Sequence, residues 1–138
     1  MAEFKANDCP FCRIPEERVI DGDQHTFVVA DAFPVSPGHT LVIPRRHIAD
    51  FFELTDAELL SAKALLNGAR KRLMDALRPD GFNVGVNVGG AAGQTIYHVH
   101  VHLIPRFVGD VASPDGGVRN VIPGRGSYQP ETGEERNE

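Results

Sequence analysis

Residues 97–103 read Tyr97-His98-Val99-His100-Val101-His102-Leu103, histidine alternating with apolar residues at a period of two. On a β-strand successive side chains point to opposite faces. His98, His100 and His102 would then share one face, and Tyr97, Val99, Val101 and Leu103 the other. The apolar face gives the segment a reason to fold there. Neighbouring histidines would stand roughly 6.5–7 Å apart, from a rise of ~3.3 Å per residue. A single histidine on a strand is ordinarily a surface or satisfied core residue, but here half of the chain's six histidines occupy alternate places on one strand. Imidazole is the side chain best suited to act as nucleophile, acid or base near neutral pH, which favours catalysis over a purely structural metal site.

Working outward, a strand is expected over 96–104, preceded by the small-residue loop Gly89-Gly90-Ala91-Ala92-Gly93. Gly93, Gln94 and Thr95 then offer backbone N–H groups, an amide and a hydroxyl, all suited to phosphate oxygens. Asn87, at the end of the alternating strand 82–88, adds a neutral donor. Alone, the glycines would be an ordinary hairpin loop; beside three histidines they read as a phosphate cradle. Further upstream, Val19 and Ile20, residues 26–30 (TFVVA) and residues 40–43 (TLVI) are β-branched or aromatic strand candidates, with a rigid connector at 33–38. A helix is expected over 55–77: Thr55 and Glu58 form a T-x-x-E capping pattern, and Pro79 and Gly81 stop it. Leu59, Leu66, Leu73 and Leu77, with Ala62 and Ala69, should form its buried stripe. Short strands joined by one long helix give an α+β fold on an antiparallel sheet.

The chain has 138 residues, enough for one domain with a proper core, and 41% are hydrophobic. A net charge of −5 argues against a broad grip on nucleic acid. No apolar run approaches the ~20 residues that span a membrane. The opening MAEFKANDCPFC lacks the basic end and apolar core of a secretory signal, so a cytoplasmic protein is expected. The only cysteines, Cys9 and Cys12, form C-x-x-C, a metal half-site or a redox pair. Pro10 lies within the pair and no strand precedes it, which favours metal, provided two more ligands exist.

Two segments, 35–47 (VSPGHTLVIPRRH) and 93–106 (GQTIYHVHVHLIPR), strongly resemble the histidine triad family of nucleotide hydrolases and transferases, the likeness running from about Cys9 to Arg106. The resemblance implies a HIT-like α+β fold, an antiparallel sheet of about five strands with one long helix and a shorter one. It implies that His100 is the nucleophile at the α-phosphorus, and that His102 binds phosphate and assists the leaving group. Asn87, Gly93, Gln94 and Thr95 would contact the substrate, Asp31 the ribose hydroxyls, and His39 would support the triad from the adjacent strand. Phe11, Ile14, Phe27 and Val29 could line a base pocket, though core packing suits at least two of them.

Metal-bearing members pair the C-x-x-C with two histidines, here His47 and His98. That gives a closed Cys9, Cys12, His47, His98 structural zinc site, with no catalytic metal on the phosphates. The implied activity is hydrolysis of nucleoside phosphoramidates or dinucleoside polyphosphates by a homodimer. The transferase branch carries glutamine at the third triad position, where this chain has His102. The alternatives are a dinucleoside polyphosphate phosphorylase or nucleotidyl transferase, and a non-catalytic nucleotide-binding module. Domain limits are expected at 1–108 for the HIT domain and 109–128 for an extension packing on the domain or a partner. Residues 129–138 should form a polar, disordered tail. The basic stretch 119–128 either selects the leaving group, reaches a partner subunit or is a solvated loop, and His25 reads as an exposed loop residue.

Overall fold

The computed structural model describes residues 8–128; the expected tail 129–138 lies outside them. Five strands form one antiparallel sheet in the order β1-β2-β3-β5-β4: β1 Val19–Gly22, β2 Thr26–Ala30, β3 Thr40–Pro44, β4 Gly81–Gly85 and β5 Val101–Arg106. The helix α1, Asp56–Ala76, joins β3 to β4. Its start is fixed by a capping box: Thr55 accepts from the Glu58 amide while the Glu58 carboxylate accepts from the Thr55 amide.

β2 and β3 are continuous apolar runs because both faces of the sheet are covered. Val28, Val42, Val101 and Leu103 pack beneath Ala62, Leu65 and Ala69 of α1. On the other face Phe27, Val29, Leu41 and Ile43 pack beneath Phe11, Ile14 and Val19 of the segment preceding β2. A second, shorter helix is absent among the described residues, where only short 3₁₀ turns accompany α1.

Three expectations shift. The buried row of α1 is Glu58, Ser61, Ala62, Leu65 and Ala69, while Leu59 and Leu77 are 47% and 43% exposed. A leucine every seven residues drifts about 20° per heptad around a straight helix, so this row flanks the contact, and the alanines let the helix approach the sheet. β5 starts at Val101, not at residue 96, because the preceding groups bond elsewhere: the Val99 amide donates to the Ile48 carbonyl at 2.7 Å and the His98 carbonyl accepts from the His100 ring. β4 therefore stops at Gly85, opposite His102, because residues 86–88 have no partner strand to pair with.

Gly38 leads into His39 at φ +85°, and a Cβ there would sit 2.7 Å from Leu73 Cδ2 and 2.9 Å from Leu77 Cδ1. Left-handed backbone costs a non-glycine residue roughly 1–2 kcal/mol, and overpacking adds about 1–3 kcal/mol. Gly38→Ala should lower unfolding stability by about 2–5 kcal/mol in urea titration, with an unchanged denaturant slope.

The chain divides into two compact units, the first ending at Arg106 and the second beginning at Phe107. Within the second, Gly117–Val121 forms a 3₁₀ turn, Arg119 Nε donates to the Gly126 carbonyl, and the Arg119 guanidinium lies 4.3 Å from the Tyr128 ring centroid.

Candidate active site and metal centre

Cys9, Cys12, His47 and His98 converge so that their four donor atoms lie within 4.8 Å of one another. Cys12 Sγ lies 3.2 Å from His47 Nδ1, His47 Nδ1 lies 3.3 Å from His98 Nδ1, and each Sγ lies 3.4 Å from His98 Nδ1. Tetrahedral zinc, with Zn–S about 2.3 Å and Zn–N about 2.0–2.1 Å, separates adjacent ligand atoms by roughly 3.3–3.8 Å. The cluster fits zinc in donor type, number and spacing. His98 Nε2–H donates to the Pro44 carbonyl at 2.7 Å, which leaves the Nδ1 lone pair facing the cluster. Cys9 and His98 are fully buried and Cys12 is exposed. Partial desolvation of its sulfur at the cluster, with Cys9 alongside, pushes the Cys12 thiol up to about 11 when no cation is bound. His47 is anchored through its neighbour: Arg46 donates to both Glu58 oxygens, at 3.1 and 2.8 Å, and holds the Glu58 carboxyl down at about 2.

The other triad histidines carry tautomers that their partners dictate. His100 Nδ1 lies 2.8 Å from the His98 carbonyl, which can only accept, so the proton is on Nδ1 and the lone pair on Nε2. The Val35 amide, which can only donate, lies 3.1 Å from His39 Nδ1, so His39 carries its proton on Nε2. That Nε2 is 2.9 Å from His102 Nδ1 and 3.3 Å from Asp31 Oδ2, so it donates and His102 Nδ1 accepts. His102 is then protonated on Nε2. Adjacent histidines present opposite groups: a lone pair on His100 and an N–H on His102.

Burial holds His100 and His39 below the ordinary imidazole value, with Asp31 pulling the other way in both. Burial, His100 and His39 together press His102 down to about 4. All three are neutral at pH 7. Asp31, His39 and His102 could by spacing also hold a cation. The Val35 bond argues against it, because a metal on His39 Nε2 would require a proton on Nδ1, where the Val35 amide already points.

The glycine-loop residues behave differently from the cradle expected of them. The Gln94 carbonyl accepts from the Gly89 amide at 2.8 Å, and its NH₂ donates to the carbonyls of Ala49 and Ile96. The amides of Gly93 and Gln94 donate back into the loop, to Gly90 and Gly89. Gln94 is 3% exposed and braces the loop, so neither it nor the Gly93 amide faces outward as a phosphate donor. A local turn satisfying its own amides is the competing use of such glycines, and here it wins. Thr95 and Asn87 are exposed. Asp31 also accepts from the Phe33 amide through Oδ1 at 2.8 Å.

Of the expected base-pocket residues, Phe11, Ile14 and Phe27 line an open pocket of about 140 Å³, joined by Glu16 and Arg45. Glu16 lies outside the quoted motifs, and Arg45 lies within 35–47 but carried no base-pocket expectation. Val29 is wholly buried in the core. His25, expected to be exposed, is half-buried in the β1–β2 connection, beside Gln24.

The HIT domain family model matches residues 13–109, and the chain belongs to the histidine triad (HIT) family. Among relatives, it is 36% identical over 107 residues to an AP-4-A phosphorylase of Mycobacterium tuberculosis, covering 73% of this chain and 55% of that protein. It is 37% identical over 108 residues to an adenylylsulfatase of Arabidopsis thaliana, covering 72% and 53%. The chain thus spans about half the length of each. Among solved structures, it matches a zinc-bound histidine triad family protein from Mycobacterium smegmatis with a TM-score of 0.69 and 31% identity, covering 79% of this chain and 82% of that one. No helix among the described residues is long and apolar enough to cross a membrane.

Proposed function

We propose that this protein hydrolyses nucleoside phosphoramidates or dinucleoside polyphosphates at the α-phosphorus through a nucleotidyl-His100 intermediate. The observation that carries this reading is the pair of opposite tautomers on His100 and His102, each set by a partner with only one possible role. His100 Nε2 attacks phosphorus with its lone pair and the bond to the leaving group breaks. The ring becomes cationic as it does so, which strengthens the hydrogen bond from Nδ1–H to the His98 carbonyl. His102 Nε2–H points a neutral donor at the phosphate oxygens and at the leaving atom, the oxygen of a polyphosphate or the nitrogen of a phosphoramidate, which it protonates as the bond breaks. Water then attacks the adduct, releasing the nucleoside monophosphate and restoring neutral His100. Asp31 is assigned to the ribose hydroxyls, and Thr95 and Asn87 to the phosphates. Zinc in the Cys9, Cys12, His47, His98 cluster supplies cross-linking of the strand approach, with no part in the bond exchange. The same reading includes a homodimer, supported by the position of β4 at the sheet edge with Val84 half-exposed.

The test is a panel of adenosine 5′-phosphoramidate and diadenosine tri- and tetraphosphate, run in ¹⁸O-water with and without inorganic phosphate. One ¹⁸O in the released monophosphate and no phosphate requirement is the expected result. The identity to an AP-4-A phosphorylase favours a second reading. Nucleoside diphosphate formed only when phosphate is added would establish phosphorolysis instead. Because burial holds His100 and His102 below the ordinary imidazole value, kcat/KM should stay level from pH 8 to 7. Its acid limb, which follows protonation of the His100 lone pair, should be centred below the ordinary imidazole value of 6.5. An acid limb centred at or above 6.5 would contradict the burial argument.

A further inference from the structure

The holds on the His100 ring run through the segments that carry the metal ligands. On one side its Nδ1–H donates to the carbonyl of His98, a ligand. On the other side lies Phe11, whose ring centroid is 4.8 Å from that of His100 at an interplanar angle of 68°. Phe11 also meets the His98 ring edge-on, at 6.1 Å and 87°. It sits between Cys9 and Cys12 in the 3₁₀ turn Pro10–Cys12, closed by the Cys12 amide donating to the Cys9 carbonyl at 3.1 Å. With both thiolates tied to one point, the backbone of Phe11 has little freedom left, and its ring is set against the nucleophile. The hydrogen bond to His98 fixes one corner of the imidazole; the Phe11 ring, with the His102 ring at 5.0 Å and 65°, limits how far Nε2 can swing. A displacement of about 1 Å at a reacting atom costs on the order of 10²-fold in rate.

We propose that Phe11 is a positioning residue for His100, held by the Cys9 and Cys12 ligands, so that loading of the metal centre sets the rate of nucleotidyl transfer. This rests on the hydrolase reading above and deepens it. A phenylalanine that merely lined the base pocket would act on nucleotide affinity. A clamp on the nucleophile acts on the rate at saturation.

Two measurements on the full chain separate these. First, nuclear Overhauser contacts between the Phe11 and His100 rings are recorded in zinc-loaded protein and after chelation, at a temperature where amide contacts between β2 and β3 show the sheet intact. The contacts are expected with zinc and lost without it; contacts that persist in zinc-free protein overturn the coupling. Second, single-turnover adduct formation is compared in wild type, Phe11→Leu and Phe11→Tyr, each with zinc content and nucleotide Kd measured. Phe11→Leu should lose at least about 10-fold in saturated rate, whatever its Kd, with zinc retained, and Phe11→Tyr should restore most of it. A leucine variant with raised Kd and a normal saturated rate, or with neither changed, overturns the proposal. Should Phe11→Leu fail to fold, a Phe11→Tyr variant with wild-type rate but no ring contact to His100 does the same. A wild-type chain that forms no adduct defeats the hydrolase reading, while the ring contacts still report whether the clamp exists.

Discussion

Replacing His100 with alanine is expected to lower hydrolysis by on the order of 10⁴-fold or more, and to leave the fold intact. The loss is large because the imidazole is the atom donor, and no other group in the site can form the same bond. Removing a nucleophile that acts as a unit with its partners takes away nearly the whole chemical advantage, as subtilisin shows at about 10⁶-fold. His102 cannot substitute, since its Nδ1 lone pair is taken up by His39 and its outward nitrogen carries a proton. The structural cost is small by comparison. His100 lies just before the start of β5 and is only partly buried, and its ring donates a hydrogen bond to the His98 carbonyl. That bond is worth about 1 kcal/mol net. Circular dichroism, the melting profile and zinc content should therefore stay close to wild type. Retained wild-type turnover in this variant would remove His100 from the mechanism. Loss of turnover together with loss of fold would be resolved by His100→Asn, which keeps polarity and volume without the nucleophile.

How much of this could be read from the residues depends on whether the deciding interaction is local. The α1 boundaries were legible because Thr55 and Glu58 satisfy the first turn themselves, and Pro79 follows a short way on. The apolar strands β2 and β3 were legible from composition alone. The four-ligand cluster needed the resemblance, because Cys12 and His98 are 86 residues apart and meet only once β3 and the approach to β5 are aligned. What alternation could not show is where a strand ends. The period-two reading put all three histidines on one strand, yet His98 and His100 precede β5, because a ring and an outside carbonyl capture the groups that would have formed the ladder. Likewise the Gln94 amide looked like a phosphate donor until the carbonyls of Ala49 and Ile96 took both its hydrogens. The tautomers were out of reach altogether, since they follow from Val35 and the His98 carbonyl, backbone groups that every residue type supplies.

Removal of zinc should lower the melting temperature by on the order of 10–20 °C without dissolving the sheet. Loss of this ion would free residues 9–18, the segment whose Phe11, Ile14 and neighbouring Val19 cover the apolar face of Phe27, Val29, Leu41 and Ile43. Uncovering that face costs several kcal/mol at about 1.5–3 kcal/mol per large apolar side chain, and each kcal/mol moves the midpoint by roughly 2–8 °C in domains of this size range. The opposite face, where Val28, Val42, Val101 and Leu103 pack on α1, contains no ligand and should persist. The sign of the pH effect follows from the ligands. Without a cation, partial desolvation beside Cys9 holds the Cys12 thiol up at about 11, so binding zinc at pH 7 must expel its proton. Zinc affinity should therefore rise with pH, and the melting gap between loaded and chelated protein should widen from pH 6 to pH 8. Calorimetry in two buffers of different ionisation enthalpy would count the protons released. A zinc content below about a tenth per chain in untagged protein of full stability would sink the centre, because a structural site of this kind is filled in the folded state. Equal melting points with and without chelator would show that the segment is held by its apolar contacts alone.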